Sequence, residues 1–125
     1  MRRNDTGAAA VEFALVVPLL VGLLLGIAEF GRAYYLQATL SGSAREAVRV
    51  MALKNDPAAA RSAARAAAPT LNLTDAQVVV APLSCPTPAG TTNAVVTISY
   101  TMPFLSRMFG ASLPLQGKGV MRCGG

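Results

Sequence analysis

The stretch GAAAVEFALVVPLLVGLLLGIAEFGRA, residues 7–33, decides how this chain is organised. Between Ala8 and Ala28 the only ionisable side chain is that of Glu12. A helix over these residues rises about 1.5 Å per residue and is about 31 Å long, enough to cross a hydrocarbon core of about 30 Å. The composition therefore predicts a transmembrane helix over residues 8–28.

The residues outside this segment predict its orientation. Arg2 and Arg3 stand directly before the apolar run, and basic residues favour retention of the flanking end in the cytoplasm. The rest of the chain would then lie outside the cytoplasm. Cys85 and Cys123 are the only cysteines, and a disulfide between them fits an oxidising compartment better than the cytosol. Two free thiols, or a disulfide to another chain, are the alternatives.

A removable signal peptide is a competing interpretation of the same segment. The basic start, the apolar run Phe13 to Leu25 and the small residues Gly26 and Ala28 are typical of such peptides. Cleavage after Ala28 would release a secreted binding domain. Two features favour a retained helix: Glu12 lies inside the apolar run, and the sequence after Ala28 continues at helical spacing.

Glu12 is the most unusual residue of the segment. A carboxylate at the centre of a bilayer costs about 2.5–3.5 kcal/mol, and less toward the end of a span. Either the side chain reaches the headgroups, or it pairs with a cation from another chain or from a newly made N-terminus.

Helix packing is the second property expected of the segment. Pro18 is tolerated in a membrane helix, where it would produce a kink. Gly22 and Gly26 are four residues apart, and small residues at that spacing let another helix approach closely.

Basic residues, a glycine, four residues and then Glu-Phe before an apolar run are similar to the type IV prepilin signature. More closely, residues 7–53 resemble the TadE-like pseudopilins of the tight-adherence (Tad, or Flp; type IVc) pilus systems. The resemblance lies in Gly-Ala-Ala-Ala-Val-Glu-Phe, the proline of the span, the Glu-Phe-Gly-Arg exit and the Ala-Arg-Glu-Ala helix.

This resemblance implies a maturation step. A prepilin peptidase of the inner membrane would cleave between Gly7 and Ala8, so that Glu12 and Phe13 become the fifth and sixth residues of the mature chain. The new amine of Ala8 would then be the cation that pairs with Glu12. Ordinary type IV pilins usually carry Phe as the first mature residue, so Ala8 leaves N-methylation open.

Beyond the span, the sequence predicts an α+β domain. Apolar residues at helical spacing continue the first helix: Leu36, Leu40, Ala44, Ala47, Val48 and Met51. Asp56-Pro57 and Pro69 bound a short second helix over Ala58–Ala68. A small antiparallel sheet of about three strands is expected at Gln77–Ala81, Asn93–Met102 and Leu115–Arg122. If the first and third strands are neighbours, Cys85 and Cys123 can meet.

The predicted organisation has four parts: a leader at residues 1–7, a transmembrane helix at 8–28, a periplasmic continuation of that helix at 29–55, and a globular part at 56–125. The protein would cross the bacterial inner membrane once, with its N-terminus cytoplasmic and its domain periplasmic, and could be incorporated into an extracellular pilus.

The composition argues against catalysis and against nucleic-acid binding. The chain has no His, and its few carboxylates lack the spacing of a metal or acid–base site, so no cofactor is expected. Its 11 Lys and Arg outnumber 6 Asp and Glu, but no aromatic residues are interleaved with the arginines to stack bases. The arginines considered are Arg45, Arg49, Arg61 and Arg65.

The expected role is that of a minor pilin in pilus assembly or initiation. Its partners would be other pilins and pseudopilins, the prepilin peptidase, the inner-membrane assembly platform and lipid. A membrane-anchored scaffold of a secretion machine, never processed, is the alternative.

Overall fold

The computed structural model describes residues 2–86, 88, 90–104 and 112–125, without the side chains of residues 2–5. The chain divides into two units, Met1–Arg32 and Ala33–Gly125, here called unit 1 and unit 2. The first helix, α1 (Arg2–Lys54), contributes to both. Unit 2 adds a second helix, α2, and a three-stranded antiparallel sheet, so the predicted α+β class is confirmed.

The apolar stripe predicted on α1 forms the centre of the core of unit 2. All six residues of the stripe are at most 6% exposed. The five from Leu40 to Met51 pack with the inward-facing residues of the sheet and with Ala60 and Ala64 of the second helix. Many members of this core are alanines, which bury little surface each, so the domain gains from additional covalent or hydrogen-bonded support.

Helix α2 (Pro57–Ala67) begins and ends where local sequence signals place its ends. The side chain of Asp56 accepts hydrogen bonds from the backbone N–H groups of Ala58 and Ala59, at 3.0 and 3.2 Å. Pro57 occupies the first helical turn, where its missing N–H leaves no bond unmade. The helix starts at Pro57 rather than Ala58 because the proline belongs to its first turn, and it stops at Ala67 rather than Ala68 because Ala68 is the C-cap.

The sheet has the order β1-β2-β3, with strands β1 (Val78–Ala81), β2 (Asn93–Pro103) and β3 (Ser112–Arg122). Both neighbouring pairs are antiparallel. Strand β3 starts three residues earlier than predicted, at Ser112, and includes Pro114. An edge strand tolerates proline because one side of its backbone has no ladder partner. The first and third strands are not neighbours, because β2 lies between them. Cys85 and Cys123 nevertheless form a disulfide, so adjacent strands were not required for this bond.

Two glycines of β3 allow the sheet to lie directly on α1. A β-carbon at Gly117 would fall on the backbone carbonyl of Leu40, and one at Gly119 would lie 2.5 Å from the carbonyl oxygen of Ala44. Both glycines are buried. Backbone-to-backbone contact of this kind excludes every residue with a side chain, so these glycines fix where β3 lies on the helix.

The C-terminal residues are fastened to the end of α1. Cys85 and Cys123 form a disulfide with an S–S distance of 2.07 Å. The N–H of Gly124 donates to the carbonyl oxygen of Ala52 at 2.9 Å. Asn55, with a φ of 51°, ends the helix in the left-handed region, and its side-chain oxygen accepts from the N–H of Cys85 at 2.6 Å. The loop at Cys85 and the end of β3 are thereby both held to the C-terminal end of α1.

Candidate assembly interface

Unit 1 presents apolar side chains that nothing in the described chain covers. Twelve large hydrophobic residues between Val11 and Phe30 are 42–76% exposed. The helix that carries them is long and apolar enough to cross a membrane, judged by its length and composition. A helix that is apolar on all sides belongs in lipid or among other helices. This segment is compatible with a single-pass membrane protein.

The residues predicted around the cleavage position lie within the first turns of α1. Ala8 and Glu12 are four residues apart, so they are neighbours on one face, about 6 Å apart along the axis. Glu12 is exposed and has no ion pair among the described residues. Phe13 beside it is 71% exposed. The carboxylate is therefore available to a cation that no ion pair among the described residues supplies.

The packing residues of the span follow one another at four-residue spacing. Pro18, Gly22 and Gly26 share one face of α1 because four residues make slightly more than one helical turn. The helix continues through Pro18, whose nitrogen cannot donate to the carbonyl of Ala14.

The glycines in and directly before the span have no close neighbours in the described part of the chain. A β-carbon added at Gly7, Gly22 or Gly26 would meet nothing within 4 Å. Glycine in a helix interior costs about 1 kcal/mol relative to alanine. Contacts within the described chain therefore do not account for these three residues, whereas a second helix placed against them would.

The arginines considered for a phosphate patch are divided by the fold. Arg61 donates to the backbone oxygen of Val78 at 3.3 Å, and Arg65 forms an ion pair with Asp75. Arg45 and Arg49 are exposed on α1, next to the exposed carboxylate of Glu46. Two of the four guanidinium groups thus have partners inside the domain, which weakens the case for a shared phosphate site.

The described residues include no cluster of His, Cys, Asp or Glu that could hold a metal ion. Three structural features were missed by sequence reasoning. These are the contact of Gly117 and Gly119 with α1, the Asn55 bridge to Cys85, and the burial of Glu29, which is 9% exposed. The alternation Gly-Lys-Gly in a predicted strand was the available signal for the first, since glycine inside a strand often marks close backbone approach.

Comparison with known families gives one finding. The model of the family described as TadE-like protein matches residues 7–49, which include the candidate cleavage position, the whole span and the first turns of α1 in unit 2. Neither a curated protein nor a solved structure gives a significant match. The family is structural rather than enzymatic. Over residues 7–49 the chain is thus similar to the TadE-like family.

Proposed function

We propose that this protein is a single-pass pseudopilin that takes part in the assembly or initiation of a Tad-type pilus as a minor subunit. The observation that carries the proposal is the bare apolar helix of residues 8–28, with Glu12 one turn after Ala8, inside the segment that matches the TadE-like family. The domain of unit 2 would be the periplasmic part that this helix anchors.

The first step of the mechanism is removal of the leader at residues 1–7. Cleavage after Gly7 by a prepilin peptidase creates an amine at Ala8, one helical turn from Glu12. The pair can form within the chain or between neighbouring subunits. Either pairing offsets part of the free energy lost by holding a carboxylate in the membrane. The positive end of the shortened helix adds a favourable interaction with the same carboxylate.

The second step is association of the span with the spans of other pilins and pseudopilins. Lipid already surrounds the apolar side chains, so burial of apolar area contributes little to association inside the bilayer. Close packing and polar pairs must supply the affinity. Gly22 and Gly26 offer a surface of open backbone for packing, and the Glu12 carboxylate offers a single charge that sets the register between subunits.

The orientation follows from the flanking charges and the cysteines. Arg2 and Arg3 favour a cytoplasmic N-terminus, and the Cys85–Cys123 disulfide favours a periplasmic location for unit 2. The partners would then be the peptidase and the assembly platform in the inner membrane, the other pilin subunits, and lipid.

Intact mass spectrometry of the protein from a native membrane separates this proposal from its rivals. A chain that starts at Ala8 supports it. A start at Glu29 identifies a secreted binding domain released by signal peptidase, and a start at Met1 identifies an unprocessed scaffold. Either of the last two results overturns the proposal.

The variant Glu12→Ala tests the assembly step separately from processing. We expect normal removal of the leader and poor incorporation with partner pilins, because the cation at Ala8 would have lost its partner. Unimpaired incorporation would mean that Glu12 only reaches toward the headgroups.

A further inference from the structure

We propose that the outer edge of strand β3 binds an extended segment of a partner protein that carries an acidic side chain on each side of an apolar one. This segment would add a fourth strand to the sheet of unit 2, next to Lys118, Val120 and Arg122. The inference concerns unit 2 alone and goes beyond the proposed function, which depends on the helix of residues 8–28.

The hydrogen-bond pattern of the sheet identifies the backbone groups of β3 that point outward. The N–H of Cys123 donates to the carbonyl oxygen of Thr92 at 2.9 Å, and this pair continues the register of β2 with β3. In an antiparallel ladder, residues bonded to the neighbouring strand alternate with residues whose N–H and C=O point away from it. The odd-numbered residues of β3 therefore bond to β2, and the even-numbered residues present their backbone groups at the edge.

Two hydrogen bonds agree with this assignment. The side chain of Gln37 donates to the backbone oxygen of Gln116 at 2.7 Å, and the N–H of Gly125 donates to that of Arg122 at 3.1 Å. Both acceptors are even-numbered residues of β3. Between them, the N–H and C=O groups of Lys118 and Val120 have no hydrogen-bond partner within the described part of the chain. Outward backbone groups of this kind are what an added strand pairs with.

The opposite edge of the sheet is less suited to an added strand. Strand β1 has only four residues, and by the same alternation only Val78 and Val80 present backbone groups outward. The backbone oxygen of Val78 accepts a hydrogen bond from Arg61 of α2 at 3.3 Å. Short edge strands and edges covered by a helix resist pairing with another chain. The asymmetry between the two edges favours β3 as the edge that pairs.

The side chains along the β3 edge define the chemistry of the partner. Lys118, Val120 and Arg122 are two residues apart from one another and therefore lie on one face of the sheet. All three are exposed, Val120 by 54%. Opposite charges that face each other on adjacent strands are favourable. The matching segment thus has Asp or Glu opposite each cation and an apolar residue opposite Val120, a pattern that is the same in either strand direction.

The sheet itself offers no carboxylate to these cations. None of the three strands contains Asp or Glu. A second copy of β3 therefore cannot place an acidic side chain opposite Lys118 or Arg122 in any register. Lysine at a sheet edge also discourages pairing between identical strands. The side chains of the edge thus favour a segment of different sequence over a second copy of this chain.

The acidic residues of unit 2 lie elsewhere. Asp56 caps α2, and Asp75 forms an ion pair with Arg65. Glu46 follows Gln37 by nine residues, which places it about 180° around α1 from the side chain that contacts β3. Among the described residues, no ion pair involves a cation of the β3 edge. An acidic segment from another chain would neutralise these cations.

Hydrogen exchange of backbone amides tests strand addition, because an added strand would bond the N–H groups of Lys118 and Val120. The isotope-labelled full chain in detergent micelles is titrated with three end-capped peptides of sequence Thr-X-Ala-Val-Ala-X-Thr, in which X is Glu, Gln or Lys. The N–H of Val80, at the outer side of β1, is the internal control. The N–H of Gly119, which bonds to β2, reports whether the sheet stays folded.

We expect the glutamate peptide at saturation to slow exchange at Lys118 and Val120 at least about tenfold and to leave Val80 unchanged. It should bind at least about tenfold more tightly than the lysine peptide, because two charge pairs change from attraction to repulsion. Equal affinities for the three peptides, or binding without slower exchange at Lys118 and Val120, would overturn the inference. Protection that rises with protein concentration alone would assign the edge to a second copy and would overturn it as well.

Two variants separate the charges from the backbone. Lys118→Glu combined with Arg122→Glu keeps the open edge and should reverse the preference, so that the lysine peptide binds more tightly. Val120→Pro removes one outward N–H without breaking the ladder to β2, and it should weaken binding of the glutamate peptide at least about fivefold, with Val120→Thr as the matched control. A charge-reversed chain that still prefers the glutamate peptide would contradict the inference, and this variant decides the question if Val120→Pro fails to fold.

Discussion

Unit 1 and unit 2 share helix α1, but large apolar side chains on this helix are exposed in unit 1 and buried in unit 2. Leu24 of unit 1 is 65% exposed, whereas Leu40 of unit 2 has 0% exposure, although both lie on α1. The domain supplies its own apolar environment, and the N-terminal segment must obtain one from lipid or from other chains. Apolar side chains of α1 thus build the core of unit 2, whereas those of unit 1 are left for contacts outside the described chain.

The glycines of the two units make the same point. In unit 1, a methyl group added at Gly22 or Gly26 would meet open space, whereas at Gly117 or Gly119 of unit 2 it would collide with the backbone of α1. Substitutions in unit 2 should therefore change the free energy of unfolding, and substitutions in unit 1 should change association. Urea titration of the full chain in detergent micelles measures the effect of each substitution on the unfolding of the domain.

The largest loss is expected from removal of the disulfide. Cys85→Ser with Cys123→Ser opens a link between residues separated by 38 positions, and the chain-entropy model gives a loss of about 4 kcal/mol. Near-ultraviolet circular dichroism would follow the unfolding. The wild-type chain in a reducing agent is the matched control, and it should lose a similar free energy. Equal stability of the oxidised and reduced chains would contradict the stabilising role of the link between the loop after β1 and the end of β3.

Gly117→Ala should have the next largest effect. Its methyl group would overlap the carbonyl group of Leu40, which cannot move without shifting the helix, so the free energy of unfolding should fall by about 3 kcal/mol. Gly42→Ala is the control, because the exposed Gly42 of α1 has open space around it and its replacement should raise stability by up to about 1 kcal/mol. Similar values for the two variants would mean that β3 does not lie on the helix as described.

Asn55→Ala should cost less, about 1–2 kcal/mol, because it removes the acceptor for the N–H of Cys85 and leaves a left-handed residue without a side chain suited to it. Asn55→Gly separates the two causes. Glycine adopts the left-handed conformation readily, so the remaining loss measures the hydrogen bond alone. A glycine variant as unstable as the alanine variant would assign the whole effect to the bond.

Gly22→Leu is expected to leave the unfolding of the domain unchanged within about 0.5 kcal/mol, since the residue has no neighbour in the described chain. Its effect should appear in association, as reduced copurification with partner pilins, because the leucine side chain keeps a second helix away. Leu23→Ile on the same span is the control and should affect neither property. A loss of domain stability in Gly22→Leu would contradict the separation of tasks.

Much of the fold followed from local signals in the sequence. The buried stripe of α1, the Asp56 cap and the three strands are set by periodicity and by residues that act on their immediate neighbours, so a pattern predicts them. The packing of β3 against α1 and the hydrogen bond between Asn55 and Cys85 join residues that are far apart in the sequence. Local sequence patterns do not predict contacts of this kind. The start of β3 was predicted too late, at Leu115 instead of Ser112, because Pro114 is compatible with a strand only at the edge of a sheet. The order of the strands, which places β3 at an edge, is not a local property of the sequence.

The candidate site was predictable to a different degree. The glycines, the proline and Glu12 stand out in the sequence, and the structure adds that their surroundings within the chain are open. Cleavage after Gly7 and the pairing of Ala8 with Glu12 stay predictions, because both involve a peptidase or a processed terminus rather than the folded chain alone.

The most direct test of the central claim compares Glu12→Gln with Glu12→Asp in cells that assemble the pilus. The glutamine variant keeps the shape of the side chain and removes its charge, whereas the aspartate variant keeps the charge. We predict that both mature at Ala8 and form the disulfide, that Glu12→Gln enters the pilus fraction at least about tenfold less than the wild type, and that Glu12→Asp is affected less. Incorporation of Glu12→Gln at the wild-type level would contradict the account.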